Sequence, residues 1–181
     1  MSHTSAPARW ADWDPNRLDR DRRELAEIAP ELDYQEPAPG LMPHGGWVGP
    51  IPLWPFDRAA PEGLNILVND PMTAAIAYAA AHPVIAPTVY PLDPEPLLAE
   101  MSDTVWHVSP GGSLCLFQSE GMWDPSASIG EIIQKSAGWR VEYALIKFGA
   151  IAQMTERGIA SDPELDGLVT DAATEIKRRS R

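Results

Sequence analysis

The sequence predicts an α+β fold: one helix, then an antiparallel β-meander, then further helices. Apolar residues recur at helical spacing after the Asp-Pro pair at 14–15. The stretch 40–116 is rich in proline, glycine and short β-branched or aromatic runs, and helical spacing returns after Cys115. With 181 residues, 44% of them apolar, the chain can bury a core of its own. This order of elements is typical of the α+β class.

The first helix is predicted over residues 15–29. Asp14 can cap it, proline is favourable at its first position, and Pro30 should end it. The residues that would dock on the domain are Leu18, Leu25, Ile28 and Leu32. The helix opens a single domain predicted at 14–181. Residues 1–13 are predicted to be a flexible leader, whose two tryptophans either dock on the domain or bind a partner.

The middle of the chain predicts short antiparallel strands. The strand-forming runs lie at 47–53, 64–69, 84–90 and 104–108. Apolar and polar residues largely alternate in 64–69, which predicts a half-buried strand there. An alanine-rich stretch at 73–81 follows Asp70-Pro71, and we expect it to form a short helix that ends before Pro83.

Helices are predicted again after residue 127. Ser128 and Glu131 have the spacing of a capping box. The apolar face of the helix that follows is Ile129, Ile132 and Ile133. Gly138 is a candidate break between this helix and a second one carrying Val141, Leu145 and Phe148. A last helix starts at the Ser-Asp-Pro-Glu sequence at 161–164, and its inner face is Leu165, Leu168, Val169 and Ile176.

Charge and composition argue against several classes of function. The formal net charge is −12, and Arg58 is the only basic residue between Glu24 and Glu131. Because such a body repels phosphates, no nucleic-acid partner is expected. A single cysteine cannot form an internal disulfide and no Cys/His spacing resembles a zinc site, so we predict a reducing compartment, the cytoplasm. The longest uncharged run, 71–92, is alanine-rich and interrupted by prolines, so no membrane partner is expected.

Cys115 is the residue whose surroundings point to chemistry. It follows the sequence H-V-S-P-G-G-S-L, which begins at His107, and Pro110 with the two glycines after it predicts a tight turn. Such a turn lets a large partner approach the thiol. A lone cysteine is more often a small buried apolar residue, and that alternative stays open.

Three further motifs surround this loop. A Trp-Asp-Pro sequence begins at Trp123, eight residues after Cys115, and leads into the isoleucine-rich helix. Tyr90-Pro91 and the Thr-Val-Trp-His sequence at 104–107 precede the loop. Together, the motifs resemble the core of the ubiquitin-conjugating enzyme family. The match is strong over about 84–149 and holds for the earlier elements only in their order.

The wording of these motifs is most similar to divergent bacterial members of the family. Gly-Ser-Leu-Cys-Leu, the later Trp139, and Glu142-Tyr143 carry that similarity. The resemblance implies a ubiquitin-conjugating-like fold: an N-terminal helix, an antiparallel meander, an active-site loop, a crossover helix and C-terminal helices.

The resemblance also implies an activity, that of a ubiquitin-like protein conjugating enzyme, which is an acyltransferase. Cys115 would accept the C-terminal acyl group of a ubiquitin-like modifier from an activating enzyme, as a thioester. It would then pass the group to an amine, typically a lysine of a protein target. An exposed thiol of ordinary pKa, about 8.5, is sufficient for this exchange. No metal or nucleotide cofactor is expected, since the activating enzyme would use the ATP.

The active-site loop departs from the family pattern, which reads His-Pro-Asn. Val108 and Ser109 stand at the last two of these positions. We therefore expect the oxyanion donor to be the Ser109 hydroxyl or, preferably, backbone N–H groups at 111–114. His107 is expected to order the loop; in a rival interpretation, that of a cysteine hydrolase, it is the general base for the thiol. Two carboxylates are weak candidates for the family's lysine-guiding acid: Glu120 and Asp124.

The arginines of the first helix are candidate partner-binding residues. In the family this helix contacts the activating enzyme, so Arg17, Arg20 and Arg23 are expected to bind it; a solvated charged face is the alternative. The chain also has a second interpretation, as a catalytically inactive adaptor that binds the modifier or the activating enzyme without forming a thioester. The altered loop favours the adaptor, whereas the cysteine at the family position favours the enzyme.

Overall fold

A computed structural model of the chain describes residues 9–117 and 122–180. The architecture is α+β, with helices packed on one face of a four-stranded antiparallel sheet. The strands lie in chain order: β1 (Asp33–Gln35), β2 (Gly46–Pro50), β3 (Thr73–Ala77) and β4 (Thr88–Asp93). The α-helices of the described ranges are α1 (Trp10–Trp13), α2 (Pro15–Ile28), α3 (Leu64–Leu67), α4 (Ile129–Phe148), α5 (Gly158–Ser161) and α6 (Asp166–Arg179).

The sheet is the predicted antiparallel meander, and its inner face carries the core. Trp47 of β2 pairs with Ile76 of β3, which pairs with Val89 of β4. All three are buried in one cluster with Ile132 and Ile133 of α4. Because side chains alternate between the faces of a strand, one shared register buries a whole row of apolar residues under α4.

The prediction of a helix over 73–81 is wrong, because its first five residues form the central strand β3. Ala74, Ala75 and Ile76 are fully buried between β2 and β4. Alanine favours a helix over other ordinary residues by up to about 0.7 kcal/mol. Pairing with strands on both sides outweighs this preference, since every residue of β3 gains ladder contacts and burial.

The prediction of a strand over 64–69 is also wrong, because this segment begins with the short helix α3. Gly63 precedes α3 with φ at +80°, and a Cβ there would lie 2.4 Å from Ala173 Cβ in α6. Glycine is therefore required for the two helices to approach each other. Leu64 and Val68 are buried in the cluster beside α6. A run this short does not distinguish a period of 2 from one of 3.6.

The remaining strand predictions are partly correct. The run at 47–53 contains most of β2, and the run at 84–90 becomes a strand only at Thr88. Residues 104–106 form a turn and Val108 forms only an isolated bridge, because the chain bends there beside α4: the carbonyl of Trp106 accepts a hydrogen bond from Trp139 Nε1 at 2.8 Å. β1, with three residues, shows no pattern that sequence alone distinguishes.

The first helix is confirmed: Asp14 caps α2 through the backbone N–H of Arg17, and the helix ends at residue 28. The last helix is confirmed as α6, but it begins at Asp166 rather than at 161–164, because Pro163–Leu165 form a separate 3-10 turn before it. The break at Gly138 is absent, since α4 runs without interruption over twenty residues. The space beside Gly138 is filled by α5, because a Cβ added to this glycine would lie 3.4 Å from atoms of Ile159 and Ala160.

The end of the leader packs on the domain. Trp10 in α1 is buried against Tyr78, and its Nε1 donates a hydrogen bond to the carbonyl of His44 at 3.0 Å. Trp13, in contrast, is 80% exposed. The predicted flexible leader therefore does not extend to residue 13, and residues 1–8 lie outside the described part of the chain.

The uncharged run at 71–92 is divided between two elements of the sheet. It contains β3, a connecting turn and most of β4 rather than one long helix. None of the helices in the described ranges has both the length and the apolar character that a membrane span requires.

Candidate functional site

Cys115 directly follows a small hairpin that lies beside the sheet. Val108 and Leu114 form a bridge, and Gly112 closes the turn with φ at +83° and an N–H bond to the Ser109 carbonyl at 2.9 Å. The N–H of Leu114 donates to Val89 in β4 at 2.8 Å, which fixes the hairpin to the sheet. The predicted turn therefore holds Cys115 at a defined position at the sheet edge.

The thiol of Cys115 is half-buried and has a carboxylate as its neighbour. Its Sγ donates a hydrogen bond to Asp103 Oδ1 at 3.4 Å. Burial, followed by the hydrogen bond and negative charge of Asp103, raises the pKa of the thiol to about 11. The expectation of an ordinary thiol pKa is therefore wrong, because both effects disfavour the thiolate.

The thiol faces a cleft of about 580 Å³. Its sides are formed by residues of three segments: 103–107, 115–117 and 153–160. Gly138 and Trp139 line it from α4. Within the described ranges, no group of three or more His, Cys, Asp or Glu side chains is placed to bind a metal ion. The polar side chains that line the cleft include the Cys115 thiol, the Asp103 carboxylate and the His107 imidazole.

The 153–160 side of the cleft is fixed by a buried carboxylate, Glu142 of α4. Glu142 is only 2% exposed and accepts hydrogen bonds from the backbone N–H groups of Thr155 and Ile159, both at 2.7 Å. Thr155 Oγ1 adds a third bond at 3.1 Å. These bonds replace the solvation that the buried carboxylate loses, and they hold the loop at 153–157 and the start of α5 in a fixed place at the cleft.

His107 lies in the cleft, but it is not bonded to the thiol. It has φ at +48°, and its carbonyl accepts a hydrogen bond from the N–H of Cys115 at 2.8 Å. Among the described residues, the imidazole has no hydrogen-bond partner, and the thiol bonds to Asp103 instead. This arrangement lacks the contact that a Cys-His hydrolase would use.

Most of the predicted oxyanion donors are occupied by the turn. Ser109 Oγ contacts Ser113 Oγ at 2.8 Å and accepts from the Ser113 N–H at 3.2 Å. The N–H groups of Gly112 and Leu114 are bonded as well. Within the described part of the chain, the N–H groups of Gly111, Leu116 and Phe117 have no hydrogen-bond partner, and the last two belong to residues that line the cleft with Cys115.

The two weak candidates for a lysine-guiding acid have different outcomes. Glu120 lies outside the described residues. Asp124 is exposed and accepts hydrogen bonds from Ser126 N and Oγ, both at 2.8 Å, which lower the pKa of its carboxyl. Asp103 is the carboxylate beside the thiol, and sequence reasoning missed it because it belongs to no motif and precedes Cys115 by twelve residues.

The arginines of α2 do not form one exposed surface. Arg17 is 5% exposed, and its guanidinium donates to Asp21 at 2.9 Å and to the carbonyls of Pro125 and Ala127 at 2.8 Å. The prediction of Arg17 as a partner-binding residue is therefore wrong: it holds the segment between the cleft and α4. Arg20 is half-buried and bonds to Glu24 and Ser126, and Arg23 is exposed.

Comparison with known proteins adds no relative. No family model, no curated protein and no solved structure matches the chain.

Proposed function

We propose that the chain is a ubiquitin-conjugating-like acyltransferase that carries a ubiquitin-like modifier as a thioester on Cys115 and transfers it to an amine. The observation that carries the proposal is the half-buried thiol at the mouth of the 580 Å³ cleft, in contact with Asp103. A cleft open to solvent admits an extended peptide tail, whereas a sealed core cysteine would not. The cytoplasm, where the thiol stays reduced, is the compartment that fits this chemistry.

The architecture supports the same proposal. The order of α2, a four-stranded antiparallel meander, the cysteine hairpin and α4 is the order that the motif resemblance implies. We propose that the domain is of the ubiquitin-conjugating type, with α4 as its crossover helix.

Loading requires the Cys115 sulfur to attack the thioester carbonyl presented by an activating enzyme. One C–S bond forms as another breaks, so little driving force is needed. The high pKa of Cys115 leaves few thiolates at neutral pH. Asp103, already accepting the S–H hydrogen bond, is placed to take the proton as the new bond forms.

Transfer reuses the same carboxylate. Once Cys115 is acylated it has no proton to donate, and Asp103 is free to bind an incoming ammonium and accept its proton. The unbonded N–H groups of Leu116 and Phe117 are the donors we assign to the oxyanion. The amine then displaces the sulfur, and the C–S bond breaks as the C–N bond forms. By this proposal the acceptor is a lysine of a protein target.

The test is thioester formation with the ubiquitin-like modifier, activating enzyme and ATP of the same organism, followed on non-reducing gels. We expect an adduct that dithiothreitol removes, a thiol-resistant ester with Cys115→Ser, and no adduct with Cys115→Ala. An adduct of equal yield in Cys115→Ala would contradict the proposal.

Asp103→Asn tests the role of the carboxylate in transfer, apart from its role in loading, when the measurement starts from the loaded thioester. We expect aminolysis of the loaded thioester by free lysine to slow about a hundredfold, the lower end of the range for loss of one general base. Asp171→Asn is the matched control, because this exposed carboxylate lies on α6 and does not line the cleft. Equal aminolysis rates in the two variants would remove Asp103 from the mechanism.

An inactive adaptor is the second candidate, and the raised pKa of Cys115 is the observation that favours it. An adaptor binds the modifier or the activating enzyme but forms no thioester. Tight binding in a pull-down without any thiol-sensitive adduct would select it over the enzyme.

A further inference from the structure

The cleft contains an amine of this chain as well as a thiol. The protein has three lysines: Lys135, Lys147 and Lys177. Of these, Lys135 lines the cleft together with Cys115. It lies on α4, one turn before the cleft residues Gly138 and Trp139. An acyl group on Cys115 would therefore enter a space that already holds a potential acceptor.

The contacts of Lys135 place its amine close to the cysteine segment. Nζ lies 5.1 Å from the ring centroid of Phe117, a residue only two positions after Cys115. Its ion pair with Glu131 is long, at 3.8 Å, and its side chain is 25% exposed. A long i, i+4 pair of this kind restrains a lysine weakly, so the amine is free to turn into the cleft.

The other two lysines lie in different surroundings. Lys147 is engaged by the Glu100 carboxylate, and its Nζ lies 5.5 Å from the Tyr143 ring centroid. Lys177 is exposed in the last turn of α6. Neither lines the cleft, so both serve as internal controls for acylation of a lysine outside it.

We propose that Lys135 is an internal acceptor, onto which the acyl group carried by Cys115 moves when no target amine occupies the cleft. This inference rests on the proposed function, since it requires a Cys115 thioester. The neutral Nζ attacks the thioester carbonyl carbon, the C–N bond forms and the C–S bond breaks. The nitrogen loses one proton, which the departing Cys115 sulfur gains, directly or through Asp103. The product is an amide on Lys135 and a free thiol.

The experiment uses a chemical acyl donor in place of the unidentified modifier. The full chain is incubated at pH 8.5 with a short peptide that ends in Gly-Gly and is activated as its mercaptoethanesulfonate thioester. Intact mass before and after dithiothreitol separates thioester from amide, and tryptic peptides locate the amide. The quantity measured is the fraction of loaded protein converted to amide, which corrects for differences in loading.

We expect thiol-resistant product on Lys135, lost at least tenfold in Lys135→Arg and absent in Cys115→Ala. Arginine keeps the positive charge, the contact with Glu131 and the cation–π contact with Phe117, but its guanidinium stays protonated and does not attack. Lys147→Arg and Lys177→Arg are the matched controls and should convert at the wild-type rate.

Two outcomes overturn the inference. If Cys115 is loaded but the thioester is lost to water alone, or the amide forms on Lys147 or Lys177 at a comparable rate, Lys135 is not an internal acceptor, while the proposed function stands. If Cys115 is not loaded by the peptide thioester and also forms no adduct with the modifier and activating enzyme, the proposed function fails and the inference fails with it.

Discussion

The carboxylate of Asp21 and the thiol of Cys115 are both removed from solvent, but their surroundings differ. Asp21 is fully buried and accepts hydrogen bonds from Arg17 Nε at 2.9 Å and Tyr78 Oη at 2.8 Å. Trp47 Nε1 in turn donates to Tyr78 Oη at 2.9 Å. Within the described residues, the Cys115 thiol has one long hydrogen bond, to Asp103. One region is built to stay fixed, whereas the other keeps its reactive group free to exchange partners.

The two regions are connected through the segment after the cysteine. Arg17 joins the Asp21 network to the carbonyls of Pro125 and Ala127, and Trp123 Nε1 donates to the Pro83 carbonyl at 2.8 Å. The fixed network thus holds the approach to α4, and α4 forms one side of the cleft. Because only the Asp21 network is fixed by several buried hydrogen bonds, its substitutions should lower stability, whereas substitution of Asp103 should change mainly the chemistry.

The largest effect is expected from Asp21→Ala. Removing the carboxylate leaves the Arg17 guanidinium buried without its counter-charge, and breaking a buried pair costs roughly 3–5 kcal/mol. The free energy of unfolding from urea titration measures this loss. Asp19→Ala is the matched control on the same helix, because Asp19 is 58% exposed and its 3.4 Å pair with Arg22 is worth at most about 1 kcal/mol. Equal losses would show that the network carries no special stability.

Glu142 lines the cleft, but it is buried and hydrogen-bonded in the same way as Asp21. Glu142→Gln should therefore have the second largest effect on stability. The amide NH₂ of glutamine would face the N–H of Thr155 or Ile159, leaving a buried donor unpaired at a cost of about 1–3 kcal/mol. Amide hydrogen exchange at 155–159 should accelerate. Glu164→Gln, at an exposed position, should change neither stability nor exchange. Unchanged protection in Glu142→Gln would mean that other contacts hold this side of the cleft.

Sequence reasoning worked where a pattern was long or had a chemical stop signal. The helix after Asp14 and the last helix were predictable, because an Asp-Pro pair stands at or just before each start and the apolar spacing continues for several turns. For the segments 64–69 and 73–81 the predicted strand and helix were the wrong way round. Their local propensities are weak, so packing against neighbouring strands and helices determines their structure.

The site was predictable only as far as its motif extended. The turn and the thiol follow from contiguous residues, whereas Asp103 reaches the sulfur through a fold in which 103 and 115 are brought together by the hairpin. Helical spacing suggested that Arg17 faces solvent, but its partners lie more than 100 positions away, at Pro125 and Ala127. Long-range contacts of this kind leave no local pattern.

The pH dependence of Cys115 alkylation tests the reactive region directly. With the pKa at about 11 instead of the ordinary value of about 8.5, the thiolate fraction at pH 7.5 is roughly 300-fold lower. The higher intrinsic nucleophilicity of such a thiolate offsets part of this, so iodoacetamide should react roughly twentyfold more slowly than with an ordinary thiol. The logarithm of the rate should rise linearly with pH up to 9.5.

Asp103→Asn should restore part of the ordinary behaviour, because it removes the negative charge beside the sulfur. The rate at pH 7.5 should increase and the plot should begin to level off at lower pH, whereas Asp124→Asn should leave both unchanged. A wild-type plot that levels off near pH 8.5 would show that neither burial nor Asp103 perturbs the thiol.

The smallest effect is expected from Gly138→Ala, where α4 meets both the cleft and α5. Alanine favours a helix interior over glycine by about 0.5–1 kcal/mol. At this position, however, the new methyl group would lie 3.4 Å from Ala160 Cβ and from Ile159 Cγ2, so packing should cancel much of the gain. Gly167→Ala in α6 is the comparison, since a Cβ there meets nothing within 4 Å. If urea titration shows that Gly138→Ala raises the free energy of unfolding as much as Gly167→Ala does, α5 must shift at little cost to make room for the methyl group. The side of the cleft that α5 forms would then be less fixed than the contacts of Glu142 imply.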